Sequence, residues 1–181
     1  MRWFAVRVKS RHEKAVAQNL ELRGFTSFTP LYVAIHQWTD RERTLHLPLF
    51  PGYVFSKFLA TSVPQILNTP GVIDIVRCGN SLAPIDDGEI HGLQQVMDSG
   101  YEAEPADYLE AGQPVTITSG PLNGVRGTVA RHKNGFKLVL SVTLLQRSIQ
   151  VEVSRGAVEA SGAIPVKAAA PAVVSSTETA A

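Results

Sequence analysis

Residues 48–55, reading Pro-Leu-Phe-Pro-Gly-Tyr-Val-Phe, constrain this chain more than any other stretch. Pro51 fixes its own φ and removes a backbone donor, and Gly52 permits a sharp turn or a close backbone approach. Tyr53, Val54 and Phe55 are strong strand formers, so the segment reads as a β-strand entered through a tight turn. Phe50, Tyr53 and Phe55 cluster there, in a chain with seven Phe, four Tyr and two Trp in all. Such a cluster builds either a core or an exposed apolar docking surface.

The flanking sequence supplies the rest of an α+β unit. From Trp3 to Lys9 the pattern has period two, with Phe4, Val6 and Val8 on one face and Trp3, Ala5, Arg7 and Lys9 on the other. This predicts a strand with a basic, partly aromatic outer face. Ser10 and Glu13 have capping-box spacing before a helix carrying Val16 and Leu20, and Gly24 is its stop. A strand after Pro30, a polar turn over residues 39–42 and a returning strand over 43–47 form a hairpin that leads into the 48–55 segment and on to Phe58. Ser62 and Gln65 repeat the capping-box spacing with Pro64 in the first turn, and this short helix carries Ile66 and Leu67. Residues 72–76 form another strand, and Asp86 caps a third helix bearing Ile90, Leu93 and Met97. The order β-α-β-β-β-α-β-α predicts a largely antiparallel sheet flanked by helices over residues 1–100.

Residues 101–110 are acidic, contain Pro105 and show no periodicity, which predicts a linker. From 111 to 160 short strands at 115–118, 126–129, 136–142 and 148–153 surround Gly-rich turns, the pattern of a small β-barrel. Residues 161–181, rich in Ala, Pro, Ser and Thr, have too little apolar bulk to fold and are expected to be a disordered tail.

The net charge of +1 hides a strong asymmetry. Residues 1–60 carry nine Lys/Arg against four Asp/Glu, 61–110 one against nine, and 111–160 six against two. Two basic blocks around an acidic middle suggest surfaces for different partners, or simply solvated charged faces. No run of 18 apolar residues and no signal-peptide pattern occurs, so a soluble cytoplasmic protein is expected. The single Cys78 excludes an internal disulfide and a multi-cysteine zinc site. His12, His36, His46, His91 and His132 have no metal-ligand spacing, and there is no Gly-x-Ser-x-Gly or phosphate loop. No cofactor and no catalysis are therefore expected.

Two sets of residues together resemble the NusG family of transcription elongation factors. The first runs through Trp3-Phe4-Ala5-Val6, Glu13-Lys14, Leu49-Phe50-Pro51-Gly52-Tyr53-Val54 and Thr69-Pro70-Gly71-Val72. The second resembles the KOW motif at Val115, Ile117, Gly120, Pro121, Gly124, Gly127 and Val129. The resemblance implies an N-terminal NGN domain docked on the clamp helices of the largest RNA polymerase subunit, linked to an SH3-like KOW barrel that recruits other machinery. On the matching positions Tyr53 and Phe55, with Phe50 beside them, would line the clamp-binding depression, acting as rigid aromatic anchors. Arg7, Lys9, Arg11 and His12, with help from Trp3, would meet single-stranded non-template DNA. Arg41 and Arg43, at the hairpin tip, would lie near upstream DNA. Leu145 matches a position, aromatic in housekeeping members, that contacts a small-subunit ribosomal protein; Rho is the other implied partner. That leucine, the short hairpin, the segment around His46 and the Ala/Pro tail are similar to specialised paralogues. A monomer is expected. A ribosome-associated RNA-binding protein with a KOW barrel is the alternative, and the 48–55 block speaks against it.

Overall fold

The computed structural model describes residues 1–38, 41–106, 113–132, 135–153 and 158–160. In chain order the first part runs β1 (Arg2–Val8), α1 (Glu13–Leu22), β2 (Thr26–Phe28), β3 (Leu31–Trp38), β4 (Arg41–Pro48) and β5 (Tyr53–Phe58). A 3-10 turn at Ala60–Ser62 enters α2 (Val63–Leu67), followed by β6 (Val72–Ile75), β7 (Arg77–Cys78), β8 (Ser81–Leu82), β9 (Pro84–Ile85) and α3 (Asp87–Asp98). The remainder is β10 (Ala103–Ala106), β11 (Gln113–Ile117), β12 (Arg126–His132), β13 (Gly135–Val142), β14 (Arg147–Val153) and β15 (Val158–Ala160). Each strand pairing is antiparallel, and the fold is α+β.

The first sheet has the order β2-β5-β1-β6, with β9 also on β1. Its centre is β1, paired with β5 from Arg2↔Phe58 to Arg7↔Tyr53. Phe4, Val6 and Val8 turn to one face, where they pack with Val16 and Leu20 of α1, Ile66 of α2, Val54, Phe58 and Ile75. Phe4 and Phe58 stack there at 4.6 Å, an arrangement that adds about 0.5–1.5 kcal/mol to the area they bury. The hairpin β3–β4 is separate from this sheet and pairs from Leu31↔Pro48 to Trp38↔Arg41, so its strands run further toward the tip than the expected turn over 39–42.

The opposite face is not the outer face expected from alternation. Trp3 is only 6% exposed and Ala5 fully buried, because α3 and the second sheet cover them. Only Arg7 and Lys9 of that face stay in solvent. The cover is a six-stranded sheet of order β10-β14-β13-β12-β11-β15. Its Val125, Leu138, Leu140, Val142 and Ile149 share one apolar cluster with Leu49, Phe50, Phe55, Ile90, Leu93 and Val96. The layers are thus α1 and α2, the first sheet, then α3 with the second sheet.

The local expectations fare differently. Gly24 ends α1 as read, at φ +85°, with its N–H on Glu21 O and the Phe25 N–H on Leu20 O in a Schellman arrangement. Asp86 caps α3 by accepting from the Gly88 N–H at 2.8 Å. The Ser10 capping box does not form: Arg11 takes φ +65°, the N-cap is His12 without a side-chain bond, and Glu13 turns elsewhere. Ser62 likewise makes no side-chain cap, as the preceding 3-10 turn feeds directly into α2. Within the stretch expected to be a linker, Ala103–Ala106 is strand β10, paired with β14 from Ala103↔Val151 to Ala106↔Ser148. A sheet edge tolerates the proline there. The tail over 161–181 lies outside the described residues.

Candidate docking site and its basic border

The turn at the head of β5 is fixed from three sides. Gly52 sits at φ +82°, a conformation that costs a residue with a Cβ about 1–2 kcal/mol. Its N–H donates to Glu13 Oε1 at 2.8 Å, its carbonyl accepts from the Val8 N–H at 2.9 Å, and the Tyr53 N–H closes the turn on Phe50 O at 3.1 Å. Glu13, 4% exposed, is therefore a buried carboxylate whose position is set by a turn distant in sequence. The spacing to Ser10 explains none of this.

The three aromatics do not share one environment. Phe50 is 1% exposed and Phe55 fully buried, meeting edge to face at 5.3 Å, with Phe28 stacked on Phe55 at 6.2 Å. Both belong to the core in this arrangement. Tyr53 is half-buried at the lip, opposite Arg7 in the sheet and under the Arg147 guanidinium, 5.2 Å from its ring centroid.

The second sheet closes over this face with a small set of polar contacts around the apolar cluster. Arg147 Nη1 donates to the Pro51 carbonyl at 2.9 Å. The Thr143 hydroxyl and backbone N–H both donate to Glu89 Oε1, at 2.7 and 3.3 Å. Gln95 Nε2 donates to Asn123 O at 3.2 Å. Between them α3 comes close at Gly92, where an added Cβ would lie 3.1 Å from Leu140 Cδ2 and 3.6 Å from Val125 Cγ1. Leu144 and Leu145 follow in the turn Thr143–Leu145, half-buried against the same cluster. Leu145 therefore lies two residues from both Thr143 and Arg147, which make the polar contacts of the cover. Burial pushes the Glu89 carboxyl above its ordinary value near 4.5; the two Thr143 hydrogen bonds oppose this and the charge of Asp86 reinforces it.

Arg7, Lys9, Arg11 and His12 are all exposed, at the end of β1 and the entry to α1. The Lys9 N–H bonds Gly71 O at 2.9 Å, the His12 N–H bonds Lys9 O at 3.0 Å, and His12 Nδ1 lies 3.1 Å from Ser10 O. Because Val8 and Glu13 also hold Gly52, this basic patch and the aromatic turn share one scaffold. Trp3 is not available to it: the indole is buried, with Lys57 Nζ 5.8 Å from its centroid. Arg41 and Arg43 lie at the tip end of β4, but their side chains are outside the described residues. Arg147, Glu89, Thr143 and Glu13 escaped sequence reasoning. The only hint was an acidic first turn in α3 and a glutamate assigned to a cap.

Among the described residues no group of three or more His, Cys, Asp or Glu is placed to hold a metal ion, and no helix is long and apolar enough to cross a membrane. Cys78 is exposed on β7. The chain is an α+β protein in which an apolar face with a polar lip lies under a cover from the same chain, next to exposed basic residues. The family model described as transcription termination factor NusG matches residues 1–94, just over half of the sequence, and the chain belongs to the NusG family of transcription termination and antitermination factors. The transcription termination/antitermination protein NusG of Xylella fastidiosa strain 9a5c is 27% identical over 185 residues, covering 88% of this chain and 99% of its own. That of Rickettsia bellii is 28% identical over 109 residues, 59% of this chain and 57% of its own. A solved structure described as domain interaction in Thermotoga maritima NusG is 21% identical over 88% of this chain and 96% of its own, with a TM-score of 0.49. Identities this low mark a divergent member.

Proposed function

We propose that this protein is a transcription elongation factor whose face around Tyr53 docks on the clamp helices of the largest RNA polymerase subunit, suppresses pausing and modulates termination and antitermination. The observation that carries this reading is the family match over residues 1–94, which contains Phe50, Pro51, Tyr53, Glu89 and the basic border. With Arg147 over Tyr53, docking requires the second sheet to leave. Only four residues, 99–102, separate α3 from β10, and four extended residues span about 14 Å. Opening is then a hinge at Ser99 and Gly100, the latter at φ +74°, unless β10 peels from β14 to lengthen the tether. The unit boundary accordingly falls at 99–102 rather than across 101–110. Once released, the second sheet, taken as a KOW SH3-like barrel, presents Leu145 to a small-subunit ribosomal protein or to Rho. Arg7, Lys9, Arg11 and His12 face the non-template DNA strand. The test is single-round transcription through a pause with purified polymerase. The chain shortens the pause, and Arg147→Glu, which repels the cover from the electron-rich lip, shortens it at lower concentration. Failure of both folded proteins to bind polymerase would overturn the reading.

A further inference from the structure

The face beneath the second sheet has a polarity of its own. At the rim of the apolar field of Phe50, Ile90 and Leu93 stand the carbonyl of Pro51, the ring face of Tyr53 and the carboxylate of Glu89, all electron-rich. The second sheet answers each of them. A guanidinium serves both Pro51 O and Tyr53, and a hydroxyl and a backbone N–H serve Glu89. Covering such groups takes them partly out of water, and an acceptor or carboxylate left without a donor there weakens whatever covers it. Any other molecule that occupies this face inherits the same requirement. An anionic or purely apolar partner would leave the lip unsatisfied, and nucleic-acid phosphates belong instead on the border formed by Arg7, Lys9, Arg11 and His12.

We infer that Arg147 and Thr143 are intramolecular stand-ins for the partner. The polymerase element that replaces the second sheet carries an arginine or lysine that reaches Pro51 O and the Tyr53 ring, apolar side chains beside it, and a hydroxyl or N–H donor for Glu89. This rests on the reading that polymerase docks at this face, and it adds the chemistry by which the face selects its ligand. It also makes exchange between cover and partner nearly balanced in polar contacts, so that apolar fit and local concentration decide the winner.

The full chain with Arg147→Glu keeps the docking face native and loosens its cover. Its affinity is measured for wild-type RNA polymerase and for polymerase whose arginines and lysines at the clamp-helix tip are changed together to methionine, at 0.5 M salt to remove long-range attraction. The expected result is about tenfold weaker binding to the methionine polymerase, or 1.4 kcal/mol. That difference should shrink when Tyr53→Leu removes the ring face. Equal affinity for the two polymerases overturns the inference and leaves the docking site intact. Binding to neither overturns the docking reading and the inference together.

Discussion

Replacing Arg147 by alanine should loosen the cover without unfolding either sheet. The guanidinium makes a charged-donor hydrogen bond to Pro51 O at 2.9 Å, a type that contributes about 1.5–3 kcal/mol, and a cation–π contact at 5.2 Å, about 0.5–1 kcal/mol at exposed sites. Both lie at the solvated rim, and screening places their sum near the lower bound, about 1.5 kcal/mol. That corresponds to a roughly tenfold rise in the population with the second sheet lifted. The Thr143 amide is a suitable reporter because its hydrogen bond crosses to Glu89 rather than to a neighbouring strand. Its hydrogen exchange should accelerate about tenfold, while the Ile149 amide within the second sheet keeps its native rate. An unchanged rate at Thr143 would refute the latch assigned to Arg147. Equal acceleration at Ile149 would show that the substitution destabilises the sheet itself.

Burial raises the Glu89 pKa above its ordinary value, so the folded protein binds this proton more tightly than the unfolded chain. The contribution to stability is therefore fully present below about pH 4.5 and is lost as the pH rises through the raised value. Glu89→Gln should flatten this part of the pH dependence of urea unfolding, and a slope that survives the substitution would exclude Glu89 as its source. Glu13→Ala leaves the Gly52 N–H without an acceptor and should cost about 1–3 kcal/mol in urea unfolding, with Glu13→Gln costing much less; equal losses would rule out the hydrogen bond as the cause. Tyr53→Ala should weaken polymerase binding by roughly 1–3 kcal/mol with circular dichroism unchanged, and an unfolded variant would assign the ring to the core. Lys9→Ala combined with Arg11→Ala should lower the salt slope of recruitment to stalled elongation complexes, and an unaltered slope would make the patch a solvated face.

The sequence alone determined what short-range chemistry decides. Period-two alternation from Phe4 to Val8, the Gly24 stop and the Asp86 cap involve groups within a few residues of one another, and each stands in the structure where it was read. It also determined that Phe50, Tyr53 and Phe55 gather at one place, because adjacency in a strand guarantees it. What it left open was which of them a partner could reach. Tyr53 and Phe55 share a sheet face, yet Phe55 is closed in by Ala5 and Phe28 while Tyr53 has Arg7 and Arg147 beside it. Alternation assigned Trp3 and Ala5 to the face opposite Phe4 but carried no information about what covers that face. Glu13 had correct capping-box spacing and was drawn instead to a backbone N–H 39 residues away. The polar contacts that close the second sheet over the first join Pro51 to Arg147 and Glu89 to Thr143, 96 and 54 residues apart. Local propensity acts over one turn of helix or one step of strand. The burial of a face depends on which distant segment packs against it, and only the tertiary structure decided that.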